Sequence, residues 1–310
     1  MLPTPPNDPT GTATCSALSA ELAEPLPGTA AVTGCWLCLE QRGPWGRSAA
    51  TQSRLDPELG AELADRGERA GVRLQLIRRP GPHADVPGPR RVYLANTNPD
   101  NGWLRRADLE DPAELLKLDF ARIAAGHHDD WGRPDPAPLL LVCTNGRRDR
   151  CCAVQGRALV SELAGRHVDS VWETTHTGGH RFAPAAVLLP SGYTYGRISA
   201  HDAEAVLSAA ATGKLALEGC RGRSTFSRAG QAAELAVRRA FGEYLVDALQ
   251  AEEIEAGEIE DALVRVRHRD GRQWTVPVTR SDPAITRPTS CGAVESLPDT
   301  WVAGSVFAER

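Results

Sequence analysis

Apolar positions change period repeatedly along the first 125 residues. Residues 30–41, with CWLCL at their centre, form an almost unbroken apolar run, the pattern of a buried strand. Residues 55–70 place apolar side chains three and four apart, which predicts a helix. Residues 72–78 and 91–96 read as strands, 102–109 as a later strand, and 112–125 as helical again. The polar, proline-rich stretch GHHDDWGRPDPAP then breaks the pattern and marks a boundary.

The same order recurs beyond it. Residues 138–143 predict a buried strand and 152–165 a helix. Strands follow over 170–175, 185–189 and 193–198, and a helix over 202–213. Strand, helix, three strands, helix, read twice, predicts an α/β protein of two thioredoxin-like units in tandem. The expected divisions are a mobile Pro/Thr-rich tail over 1–25, an N-terminal unit over 26–125, a second unit over 136–215, and an appendage over 216–310. In the appendage, residues 227–250 read as one long amphipathic helix. Residues 262–279 read as a hairpin about Asp270-Gly271.

Composition narrows the function classes. The net charge of −5 gives no bulk attraction to nucleic acid. No apolar run approaches the roughly 18 residues that span a bilayer. The opening MLPTPPNDPTGTATC has neither a basic region nor an apolar core, so no secretory signal is expected. Eight cysteines in such a chain favour metal or redox chemistry in a reducing cytoplasm over a disulfide framework.

Most of that chemistry falls in VCTNGRRDRCC and WETTHTGGH. Cys143 ends a predicted strand, and Cys151 or Cys152 opens the following helix. His176 and His180 follow the next strand. Neighbouring strand ends in an open α/β sheet share one edge, so the two pairs converge where such sheets place ligands. Thiolates suit iron–sulfur clusters or zinc, and imidazoles suit both metals. A helix N-terminus favours a thiolate or an anionic cluster. Glycines 178 and 179 let backbone N–H groups approach closely. Arg147, Arg148, Arg150 and Arg181 surround the group, where Arg148 could instead pair with Asp149.

Other motifs carry weaker signals. Cys35 and Cys38 form C-x-x-C inside an apolar strand run, which reads as core. His127 to Asp130 reads as a solvated loop, and Arg221 with Arg223 as a surface pair. Cys220 and Cys291 have no assignable partner. No G-x-G-x-x-G follows a strand, so nothing signals a Rossmann nucleotide site.

CTNGRRDRCCAVQG and HTGGHRFAPAAVLLPSGYTYGRI resemble the sucrase/ferredoxin-like family, which includes bacterial proteins and fungal thioredoxin-like ferredoxins. GPWG at 43–46, LIRRPG at 76–81, RGRS at 221–224 and SCG at 290–292 extend the resemblance over nearly the whole chain. In characterised fungal relatives the C-x8-C and H-x3-H arrangement holds a [2Fe–2S] cluster. The resemblance therefore implies Cys143, Cys152, His176 and His180 as ligands, Cys152 rather than Cys151 preserving the eight-residue gap. It implies an electron carrier with protein redox partners, binding neither nucleic acid nor membrane, and not an enzyme with its own substrate. No carboxylate pair stands out to support the sucrase half of the family name. A structural zinc module and a thiol–disulfide oxidoreductase remain as alternatives.

Overall fold

The computed structural model describes residues 14–81, 88–256, 261–281, 286–297 and 299–309. Its first element is a helix, α1 (Cys15–Glu21), in which Thr14 caps the Ala17 N–H. The N-terminal unit follows as β1 (Cys35–Glu40), α2 (Ala49–Gln52), α3 (Pro57–Ala70), β2 (Val72–Arg78), β3 (Arg90–Asn96), β4 (Trp103–Leu109) and α4 (Phe120–Ala124). Asp56 caps α3 and Pro57 opens it, while Gly71 closes it in the left-handed conformation. The predicted helix over 112–125 is divided into a 3-10 turn, Pro112–Lys117, and α4, each capped by its own aspartate.

After the short β5 (Arg133–Pro134), the second unit runs β6 (Leu139–Cys143), α5 (Arg157–Leu163), β7 (Val171–Thr174), β8 (Ala185–Leu189), β9 (Tyr193–Gly196) and α6 (Ala200–Ala211). In each unit the first two strands are parallel and the third and fourth follow antiparallel. The spatial orders are β2-β1-β3-β4 and β7-β6-β8-β9. Both halves thus have the strand order of a thioredoxin-like unit, and the expected α/β fold class holds.

The two units share one sheet. β2 and β7 pair antiparallel, giving ten strands in the order β10-β9-β8-β6-β7-β2-β1-β3-β4-β5, with β10 (Cys220–Arg223) at one edge. Helices α3 and α4 cover one face of the first unit, and α5 and α6 cover one face of the second. The helix-free faces merge into a single core of Trp36, Ile77, Tyr93, Leu141, Trp172 and their neighbours. Tyr93 on β3 and Trp172 on β7 meet edge-to-face with centroids 5.7 Å apart. Two strands lie between β3 and β7, so these long aromatic side chains reach across the shared face to meet. At the seam a buried Arg78–Glu173 ion pair of 2.7 Å also accepts the Thr144 hydroxyl, so both charges are satisfied.

The C-terminal region departs from expectation. The long predicted helix stops early as α7 (Arg228–Phe241), because Gly242 turns left-handed. The apolar residues beyond lead into β11 (Leu249–Ala256). With β12 (Asp261–His268), β13 (Gln273–Ser281), β16 (Thr300–Ala303) and β17 (Phe307–Ala308) this forms a second sheet under α7, while β14 (Arg287–Pro288) pairs with β15 (Glu295–Ser296). The hairpin about Asp270-Gly271 is present as β12–β13. Where a mobile tail to residue 25 was expected, residues 15–21 form α1, held because Cys15 and Ser19 are buried. Residues 1–13 lie outside the described residues.

Candidate metal centre

The site forms where β6 and β7 end side by side, Cys143 opposite Thr174. A turn at Asn145 leads into a continuous helical stretch from residue 150 to 163, wound as a π-helix over Cys152–Gly156. Such widened turns are frequent at functional sites. The helix packs hard on the strand end. A Cβ on Gly156 would lie 2.1 Å from the Cys143 carbonyl oxygen, so only glycine fits.

Cys143, Cys152 and His176 place their ligand atoms within 4.8 Å of one another. Both thiols are buried, and His176 is half-buried. His180, on the 3-10 turn His180–Phe182, stacks its ring 4.8 Å from that of His176. The Nδ1 atoms of His176 and His180 are buried without a hydrogen-bond partner. The other nitrogen of His180, Nε2, faces the Asp149 carboxylate at 3.8 Å. Two thiols and two imidazoles, each with an orphaned nitrogen, suit a metal or cluster that accepts soft and borderline ligands.

Electrostatics favour a thiolate here. Hydrogen bonding from Cys152, and then His176, outweighs burial and holds the Cys143 thiol well below its ordinary range. Cys152 is pushed up by the same contact. Burial lowers the His180 imidazole, against the Asp149 charge. Burial also lowers the Arg73 guanidinium, with the Cys143 charge opposing. Arg73 donates from Nη2 to the His176 carbonyl at 3.1 Å.

The His176–His180 loop rests on Arg221. This arginine is fully buried, and burial pulls it down to about 9. It donates to the Gly178 carbonyl at 3.1 Å and to Thr29. Gly179, at φ +73°, lies so close that a Cβ would sit 2.1 Å from the guanidinium. The expectation of a surface pair at Arg221 and Arg223 is therefore corrected. Both are core residues of β10, Arg223 bonding the Thr97 and Val246 carbonyls. Arg181 turns to Glu24 at 2.7 Å.

Cys151, one residue from Cys152, faces another group made of Cys15, Asp149 and Cys291. Its sulfur lies 3.4 Å from Cys15 and 3.2 Å from Cys291, and Cys15 to Cys291 is 3.6 Å. Asp149 does not rely on Arg148. Its carboxylate accepts the backbone N–H of Cys151 and of Cys291 and the Ser290 hydroxyl. The sequence reading missed this group, because its members are 134 and 276 residues from Cys15 in the chain. Cys35 and Cys38 are core, Cys35 pushed up to about 11 by burial, with the Asn96 amide opposing. Cys220 is buried under α7, and burial moves it up to about 12.

A family model described as sucrase/ferredoxin-like matches residues 26–222. The chain belongs to the sucrase/ferredoxin-like family. The match includes Cys143, Cys152, His176 and His180, and leaves out Cys15 and Cys291. No match is found among curated proteins or among solved structures. Among the described residues, no helix is long and apolar enough to cross a membrane.

Proposed function

We propose that this member of the sucrase/ferredoxin-like family is an electron-transfer protein carrying one [2Fe–2S] cluster on Cys143, Cys152, His176 and His180. The reading rests most on one observation. The Cys143 and Cys152 thiols and the His176 imidazole bring their ligand atoms within 4.8 Å of one another, the His180 ring lies beside that of His176, and both imidazoles have an orphaned Nδ1, all inside the stretch that matches the family. The bound cluster would take up and release one electron. The protein's residues do the rest. Cys143 and Cys152 anchor it from the interior. His176 and His180 stand toward the surface, where a redox partner protein would dock. Neutral imidazoles in place of two thiolates leave the cluster less negative and raise its potential, as in Rieske centres at roughly −150 to +300 mV.

In this reading residues 136–215 form the cluster unit, and 26–125 and 216–310 support it. Eight free thiols fit a reducing compartment, the cytoplasm. Protein purified without air is expected to contain about two irons and two acid-labile sulfides per chain, and to be red-brown. Iron-free protein holding zinc on these four residues would replace the proposal with a structural zinc module.

A further inference from the structure

We infer that Cys15, Cys151, Cys291 and Asp149 form a second metal site, separate from the cluster site, for a single thiolate-preferring divalent ion of which zinc is the best fit. The geometry carries this. The three sulfurs form a triangle with edges of 3.2, 3.4 and 3.6 Å. A tetrahedral ion with metal–sulfur bonds of about 2.3 Å sets sulfur atoms about 3.8 Å apart, so the triangle needs to open by only a few tenths of an ångström. Clusters of several irons spread their thiolates over different metal atoms, which this triangle is too small to do. The fourth corner belongs to Asp149. Its oxygens lie 3.9 and 4.0 Å from the Cys15 sulfur, against about 3.6 Å when both bind one zinc ion.

The surroundings are built for it. The Asp149 side chain is fully buried, and the Cys151 N–H, Cys291 N–H and Ser290 hydroxyl hold it in place. Cys15 and Cys151 are buried, while Cys291 is partly exposed and gives the ion a way in. Binding replaces the thiol protons with metal–sulfur bonds and releases them to water. No electrons move, so no oxidant is needed.

The site also has a structural logic. Its ligands come from α1, from the loop and helix start beside Cys152, and from the C-terminal Ser290–Gly292 turn. One ion would pin α1 and the Ser290–Gly292 turn to the cluster unit. Two of the four ligands, Cys15 and Cys291, lie outside the family-matched stretch.

The test is metal analysis of the full chain, purified without air from zinc-containing medium. Wild type is expected to hold about one zinc per chain, whatever its iron content. Cys291→Ser, the most exposed ligand and the mildest change, is expected to cut bound zinc at least tenfold while iron stays at the wild-type level. On wild type alone, N-ethylmaleimide labelling read by mass spectrometry gives a second measure. Zinc should protect the partly exposed Cys291, and chelation should open it to labelling. Wild type that neither holds nor takes up zinc overturns the site. So does a Cys151–Cys291 disulfide in the air-free protein, or zinc that survives Cys291→Ser but is lost with Cys143→Ser.

Discussion

Cys151 and Cys152 are adjacent in sequence, yet their side chains belong to different groups. Cys152 faces Cys143 and His176, while Cys151 faces Cys15 and Cys291. Successive residues of a helical turn point about 100° apart, so one peptide can serve two sites. Exchange of each cysteine should therefore have separable effects. Cys152→Ser is expected to abolish the visible iron–sulfur absorption. Cys151→Ser is expected to leave iron bound within about 20% of wild type. The check is iron content and absorbance of both variants purified side by side. The reverse pattern would shift the ligand by one residue. The sequence placed Cys143 and His176 close to strand ends, and only the family resemblance chose Cys152 over Cys151 and added His180 as a ligand. Asp149 was not legible. Its neighbour Arg148 offered a local ion pair, and only the fold brings the Ser290–Cys291 turn onto it.

At the level of elements, the strands were readable and the helix ends were not. β1 and β6 show the apolar runs of strands buried on both faces, and both are buried throughout. α7 ends at Gly242, though the apolar residues beyond it continue a plausible helical period. Gly242 is the stop signal that the apolar period masked, and Arg238 secures the end by donating to the Glu243, Leu245 and Val246 carbonyls. β1 also offers a test of burial. The Cys35 thiol is pushed from 9.0 up to about 11, chiefly by burial. Between those values the folded chain keeps a proton that the unfolded chain has released. Its contribution to stability is therefore complete below about pH 9 and lost as pH rises toward about 11. Relative to Cys35→Ala, wild type is expected to lose roughly 2–3 kcal/mol across that window. Urea denaturation of both proteins at pH 8 and pH 11 measures it. Parallel pH dependence would mean that the Cys35 thiol is not held protonated by its strand.

The whole molecule is less divided than its sequence. The repeated strand–helix order is real, and each unit keeps its own helix-side core, but the units on either side of the proline-rich connector also share a third core. The β2–β7 pairing, the Arg78–Glu173 pair and the merged Trp36–Tyr93–Trp172 layer join the two units into one sheet. Local periodicity carries no information about pairing between strands 95 or more residues apart, so this could not be read in advance. α1 and β14 pack against the same region. Glu24 accepts from Ser19, Arg181 and Arg287, tying the segment after α1 to the residue after His180 and to β14. The candidate centre is thus framed by both units, by β10 through Arg221, and by α1 and the Ser290–Gly292 turn.

The central claim is a [2Fe–2S] cluster held by two thiolates and two imidazoles. Pulsed EPR of the dithionite-reduced protein, reading nitrogen hyperfine couplings, tests it most directly. A spin-half signal with two strong imidazole couplings is expected, reduced to one in His176→Cys and in His180→Cys. A reduced cluster without strong nitrogen couplings, or no cluster signal in protein purified without air, would contradict it.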